Sequence, residues 1–579
     1  MKLKLLFICY LLFSVTANCQ LLQKNIEFAQ GHLIDANLAQ INDGSNDVII
    51  ASNVQSTASP VPVLKRLEDD GTIVWSKTYD DPTLTNARIF DITNYFDLIF
   101  MTGSIDVGGV KKVFIAKIEA ATGNLLDDRY YDIVNSNFNS TGFKVIISET
   151  DANGDNILDE GLLVTGFFGS CPNADPGCNL NIGFALRTDL NLNNIWVAEV
   201  DSFVSGANID YDFVNGVIET SDGFVLTGSA TGQGNTSTQA GVLAHKIDFE
   251  GQFIWDSSYI FGNSRDVSVD AYYDTTTDEV FILNNYSSIH HFGVTVLDNA
   301  NGAINNTKSW YANESNNSLD FYGFSLVESL SSPGNLIIYG YRRGYFNGTN
   351  TDQTNIFVHE FDKATGNQVG TSYQYTLPYQ EPMGGVYGFW SSQLPLIYYP
   401  DMALYDTSAT TPTHYAVGYR NGDPANGSFS NIEFMNVDAQ KMNACDNLIL
   451  NFNTNTLGTI NSIANVTSAL ASANETVMAL DGTSVTLNED SCSTQLSVRD
   501  QNKFNLEIYP NPASDYVYLN QNTDVNKILI RDITGKTVFE TNVYNKNEGI
   551  FVGNLSKGVY FIRIRTSDNA TGNLKLIKN

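Results

Sequence analysis

A short pattern that returns seven times constrains this chain more than any other feature. Leu64 to Trp75 reads LKRLEDDGTIVW and Ala244 to Trp255 reads AHKIDFEGQFIW, and the two align without gaps. Related copies are AKIEAATGNLL from Ala116, LRTDLNLNNIW from Leu186, TVLDNANGAIN from Thr295, HEFDKATGNQV from His359 and MNVDAQK from Met435. The recurring acid is Glu68, Glu119, Asp189, Asp248, Asp298, Asp362 or Asp438, at intervals of 50 to 76 residues. Trp75, Trp196 and Trp255 each lie seven positions after their acid, which a shared packing role requires. Before each copy runs an apolar strand: DVIIASN, DLIFMTGS, GLLVTGF, GFVLTGS, EVFILNN, NLIIYGY and HYAVGYR.

Each unit thus offers four strands: one leading in, the apolar run, the strand ending in the acid, and a last one such as TIVWSKTY. A unit this small buries its apolar face only by stacking on its neighbours. Four strands per unit with variable loops predict propeller blades, and seven of them close into a ring. The expected fold class is therefore all-β, with a seven-bladed β-propeller over residues 20–445. NIEFAQG is placed to supply the outermost strand of the last blade and lock the ring. The acid and glycine suit a hairpin turn, and the tryptophans read as core. Block four, SDGFVLTGS with HKIDFEGQFIW, resembles propellers commonly found ahead of bacterial sorting domains. ATGN at residues 121–124 and 364–367 loosely resembles pyrroloquinoline-quinone repeats, but the eight blades and adjacent cysteine pair of those enzymes are not seen.

After the repeats, residues 446–500 are rich in Asn, Thr, Ser and Ala and read as a spacer or a small β unit. Residues 501–579 have a β pattern of their own. Leu506 and Ile508, Val517 and Leu519, Ile528 and Ile530, and Val559, Phe561 and Ile564 recur with the near two-residue period of half-buried strands. Pro510, Asn511 and Pro512, Gly535 with Lys536, and Gly558 punctuate them as turns. A small immunoglobulin-like sandwich is expected. Tyr509-Pro510-Asn511-Pro512, the turn from Asp532 to Gly535 and Lys536, Gly558 to Tyr560, and the end carrying Lys575 and Lys578 resemble, in order, the C-terminal sorting domain of the type IX secretion system of Gram-negative bacteria. The resemblance implies recognition by that machinery at the outer membrane, removal by a sortase-like peptidase, and cargo that is secreted or attached to the outer cell surface.

The N-terminus agrees with export. Lys2 and Lys4 precede LLFICYLLFSV, a run too short to span a bilayer stably, so residues 1–19 read as a signal peptide, cleaved after Ala17 or Cys19. No later segment is apolar enough to be a transmembrane helix. The chain carries 63 acidic and 32 basic residues, a net −31. The tail has ten Lys and Arg against seven Asp and Glu, so the acidity belongs to the body. Such a surface repels phosphate backbones, which argues against nucleic acid, and suits divalent cations or plain solubility. Outside the cell, cysteines pair by default. CPNADPGC makes Cys171 and Cys178 a local bridge and leaves Cys445 with Cys492, two other pairings being formally open. No zinc spacing accompanies them.

Two constellations invite chemistry. In DANGDNILDEG, Asp151, Asn153, Asp155 and Asp159 are spaced like the oxygen ligands of a calcium loop, with the Ile157 carbonyl between them. Asn156 replaces the turn glycine and Leu162 stands where a bidentate Glu would be, so a polar hairpin is the competing reading. Tyr341, Arg342, Arg343, Trp390 and Arg420 combine aromatic faces with guanidinium groups, as a glycan or peptide ligand would use, although strands also need aromatics for packing. The histidines are scattered, and no nucleophile elbow, HExxH or phosphate-cradling loop occurs. No cofactor is implied beyond calcium. The expectation is a non-catalytic binding or adhesion module, with a secreted polysaccharide hydrolase or lyase, its acids drawn from different blades, as the alternative.

Overall fold

The computed structural model describes residues 22–579 apart from loops, chief among them 151–158, 170–178, 203–208, 232–239, 345–354, 376–403, 407–412, 421–430, 439–446, 494–507 and 542–548. All regular elements among the described residues are β-strands, and no helix there could cross a membrane. The all-β expectation holds.

Seven sheets follow one another through the body. Antiparallel strands build sheet I (residues 32–80), sheet II (85–133), sheet III (140–201), sheet IV (213–260), sheet V (266–314) and sheet VI (319–375). Sheet VII joins Leu404–Asp406, Thr413–Arg420 and Asn431–Asp438 to Leu22–Phe28 from the other end of the chain. Asn25 faces Glu433 and Ile26 faces Ile432, so NIEF joins sheet VII as the sequence suggested, but it is not the outermost strand, because Leu487–Ser493 pairs along its other edge. Second strands such as Leu98–Val107, buried at eight successive positions, explain the apolar runs, because a strand covered on both faces has no polar side to alternate with. Fourth strands such as Ile73–Asp80 mix buried and exposed positions, as strands nearer the periphery do.

Between consecutive sheets lies an apolar layer: Ile49 and Leu64 with Met101 and Phe114, Phe100 and Val113 with Val164 and Leu186, Ala198 and Val200 with Leu226 and Leu243, Val225 with Ile282, Phe292 with Phe357, and Tyr339 with Met435. The first strand of sheet I packs in turn on sheet VII. The repeat motif is a device for this stacking. Trp75, Trp196 and Trp255 donate from Nε1 to the carbonyls of Ala120, Phe249 and Asn299, each the residue after the acid of the next sheet, at 3.0, 3.1 and 2.8 Å. The turn glycine of that next sheet lies on the indole: a Cβ on Gly123, Gly251 or Gly302 would stand 2.9, 3.0 or 2.6 Å from the ring. These glycines have φ between 68° and 81°, a region open to Gly at little cost. The acid itself caps the hairpin, as when Asp248 Oδ1 accepts Gln252 N at 2.7 Å. Buried cations two residues before the acid reach carbonyls at the equivalent next-sheet position: Arg66 to Ala120, Lys117 to Leu190 and Lys246 to Asn299.

Residues 447–493 neither form a unit of their own nor a free spacer, which corrects the expectation for 446–500. Their strands lie one on the outer edge of each of the seven sheets, in reverse order: Asn447–Leu450 on VI, Phe452–Thr456 on V, Asn461–Ser462 on IV, Thr467–Ala471 on III, Ala473–Val477 on II, Asp481–Ser484 on I, and Leu487–Ser493 on the N-terminal strand of VII. Leu22–Phe28 is consequently paired on both edges. This strap also drives apolar pegs between sheets. Phe452 enters the layer between V and VI, Leu457 that between IV and V, Val466 that between III and IV, Ala473 that between II and III, and Met478 with Leu480 that between I and II. An uncovered sheet edge is a template for unwanted pairing, and the strap covers seven of them.

The tail forms two small sheets, one of Ile508–Tyr509, Tyr516–Leu519 and Ile550–Phe551, the other of Thr537–Thr541, Val525–Asp532, Gly558–Thr566 and Thr571–Lys578. They enclose one core containing Val517, Ile528, Ile530, Ile562, Ile564 and Leu576.

Candidate functional site

The tail motif is brought together into one clamp. Both Tyr509-Pro510 and Asn511-Pro512 bonds are cis, and the turn they make lays Asn511 along the last strand. Its Nδ2 donates to the Lys575 carbonyl at 2.7 Å and its Oδ1 accepts Ile577 N at 2.8 Å, so one side chain takes the place of a neighbouring strand. Ala513 N to Ile577 O at 2.8 Å and Asn579 N to Ala513 O at 2.9 Å extend the pairing to the final residue. Gly558 opens the strand opposite and faces Lys578 across the ladder. Tyr560 Oη donates to the Ser556 carbonyl at 2.8 Å, and Lys536 N donates to Asp532 Oδ1 at 3.2 Å across the turn, of which Gly535 lies outside the described residues. Lys575 is exposed.

Beside the clamp the three-stranded sheet turns its core residues Ile508, Val517 and Ile550 inward, and Tyr509, Tyr516, Tyr518 and Phe551 therefore outward. Tyr509 stacks on Tyr518 at 5.9 Å, and Tyr516 meets Phe551 at 5.1 Å. Tyr509, Tyr516 and Phe551 are 54%, 44% and 44% exposed, a concentration of bare aromatic surface that a soluble module has no internal use for.

A second cluster comes from the body. Six of the first strands carry a bulge at an equivalent place, after Ile34, Ile89, Gly142, Val214, Ser268 and Gly323. Bulges re-aim side chains, and Asp91 of sheet II, Lys144 of sheet III and Asp270 of sheet V stand directly after theirs. Lys144 Nζ is 3.5 Å from Asp91 Oδ2, which also accepts Val145 N at 2.8 Å. Asp270 Oδ2 accepts Leu326 N at 2.7 Å. Burial pushes both carboxyls up; the charge of Lys144 opposes this at each, and Asp91 adds to it at Asp270. Next to them, Phe90, Phe143, Phe167 and Phe213 form a chain of ring contacts of 5.4, 5.4 and 4.8 Å, with the Arg88 guanidinium 5.0 Å from the Phe90 ring. Sequence reasoning missed this cluster, because its members share a bulge position and no linear motif.

The other expected residues are placed as follows. Asp151, Asn153, Asp155 and Ile157 lie outside the described residues; Asp159 opens the return strand, paired with Thr150. Tyr341, Arg342 and Arg343 sit at one end of the second strand of sheet VI, opposite Tyr322, Phe321 and Asp320, and Arg420 ends the second strand of sheet VII. Trp390 is outside the described residues, as are Cys171, Cys178 and Cys445, while Cys492 lies on the strap opposite Gln23. His245 and His359 are buried within their own sheets, near Asp256 and Ser372 at 3.4 and 2.9 Å. Among the described residues, no three His, Cys, Asp or Glu side chains are gathered as metal ligands.

Residues 507–579 match the model of the secretion system C-terminal sorting domain. The tail is a type IX secretion sorting domain. A chain that carries this sorting domain is secreted or held at the outer surface of a Gram-negative cell, and the domain is what the type IX machinery engages. No curated protein matches the chain in sequence. Among solved structures it is similar to the phage phi92 endosialidase (8% identity, 96% of this chain and 87% of that one, TM-score 0.34). It is also similar to Sqt1 of Chaetomium thermophilum (10% identity, 61% and 88%, TM-score 0.31). At these scores the likenesses carry no argument about fold or activity.

Proposed function

We propose that sheets I to VII are the blades of a closed seven-bladed β-propeller, bound by its strap, and that it serves outside the cell as a non-catalytic binding or adhesion module delivered by an immunoglobulin-like sorting domain. The observation that supports this most is the strap. A strand on every sheet and a peg in successive crevices make the body rigid, while the loops stay free to vary, which is the arrangement that suits a display platform. In this reading Tyr341, Arg342, Arg343, Trp390 and Arg420 offer a glycan or peptide surface, and the 151–159 loop takes calcium through Asp151, Asn153, Asp155, Ile157 and Asp159. Cys171 pairs with Cys178 and Cys445 with Cys492, and a sortase-like peptidase frees the body. A broad glycan and peptide array probed with the exported protein tests it: binding that Arg342→Ala or Arg420→Ala weakens is expected, and no binding to any class would refute it.

One observation favours a polysaccharide hydrolase or lyase instead. Asp91 and Asp270 are acids from different sheets with raised carboxyls, and a protonated and an ionised acid are what glycoside cleavage needs. Both already accept backbone N–H groups, and Asp91 is 3% exposed, so Asp91 is not presented to a polymer.

A further inference from the structure

We propose that sheets II and III carry an arginine-binding site whose occupant is Arg531 of the sorting domain, so that the domain is docked on the body before release. Arg531 is 3% exposed, although the strand bearing it belongs to a small module with its own core. Its guanidinium carbon lies 4.6 Å from the centre of the Tyr95 ring and 4.4 Å from that of Phe96. Its Nη2 is 2.5 Å from Glu160 Oε1 and 3.6 Å from Glu149 Oε1. Two aromatic faces and two carboxylates are what a planar, permanently charged group selects, and an ammonium fits such a site less well.

The body side is built for this. Tyr95 Oη donates to Glu149 Oε1 at 2.9 Å and fixes that carboxylate. Phe96 holds a φ of 55°, a conformation that costs a bulky residue free energy and that glycine would adopt freely. Its strained turn keeps the ring beneath the guanidinium. With the tail in place, burial and the neighbouring Glu149 charge push the Glu160 carboxyl up to about 7. Burial also lowers Arg531, but a guanidinium keeps its proton at any physiological pH. Around this anchor, Thr537 Oγ1 donates to Glu160 at 3.3 Å, Arg563 lies 5.1 Å from the Phe96 ring, and Leu529 joins the apolar layer between sheets II and III. The charge balance agrees, since the basic surplus of the tail meets the acidic body.

Small-angle scattering of the full-length protein tests the docking, with amide exchange of residues 95–98 and 528–532 as a second readout. The wild type is expected to scatter as one compact particle. Arg531→Ala, on the tail, and Phe96→Gly, which the turn accepts without strain, are each expected to lengthen the maximum dimension and speed exchange at both sites at least tenfold. Combining them is expected to add nothing, because they break one interaction from its two sides. An unchanged melting temperature of the body separates undocking from unfolding. A wild type that already scatters as two separated bodies, or variants that leave dimension and exchange unaltered, would overturn the proposal.

Discussion

Leu480→Ala isolates the packing of the strap from its hydrogen bonds. The Leu480 side chain is 6% exposed and lies with Met478 between sheets I and II, while its N–H donates to Asp128 Oδ2 at 2.8 Å. Alanine keeps the N–H and removes about three buried carbons, each worth about 0.8 kcal/mol, or about 2.4 kcal/mol in all. The cavity left behind adds to this, within the range of roughly 2–5 kcal/mol seen for such truncations. If the strap opens locally as a unit, about 2.4 kcal/mol corresponds to about fifty-fold faster exchange of its amides. Hydrogen exchange read by mass spectrometry should show that acceleration in peptides spanning 473–484, with Leu98–Val107 unaffected. Unchanged exchange in 473–484 would mean that the peg is not seated. Equal acceleration in the 98–107 strand would mean that the strap is no separable element.

Two further outcomes follow from the same geometry. Burial pushes Asp222 up, but hydrogen bonds from Lys246 and Asn299 outweigh it and hold the carboxyl below its usual range; a depressed acid contributes stability above its unfolded pKa of about 3.9 and loses it as pH falls. The stability gap between wild type and Asp222→Asn in denaturant titrations should therefore be widest at neutral pH and shrink toward pH 3, and a constant gap would contradict this. Asn511→Ala removes both bonds that bind the proline turn to the last strand, a loss of about 1–3 kcal/mol in a small module; the protein should accumulate inside the outer membrane, and export at the wild-type level would show that the clamp is dispensable.

Much of this architecture could be read from the chain. The acid of each repeat, with a glycine in five and a tryptophan in three, announced hairpins at regular places, and NIEF was legible as a strand added to sheet VII from the other end of the chain. The partner of each tryptophan was not, because Gly123 and Trp75 belong to different repeats and meet only when sheets stack. The strap escaped for another reason. Strands such as Thr467–Ala471 and Ala473–Val477 are two to seven residues long and largely exposed, so they need only backbone to join an existing edge and leave no alternation to detect. Its pegs were single apolar residues among Asn, Thr and Ser. Asp91, Lys144 and Asp270 were hidden because a bulge breaks the period that pattern reading follows. In the tail, Asn511 and the terminal strand were flagged as one motif, but Arg531 looked like any surface cation on an alternating strand.

The most direct test of a binding module is what happens to the ligand. A polysaccharide captured by the exported protein should be recovered at its original chain length after prolonged incubation, with binding unchanged by Asp91→Asn. Shortening of the polymer that Asp91→Asn or Asp270→Asn abolishes would make the body an enzyme and contradict the account.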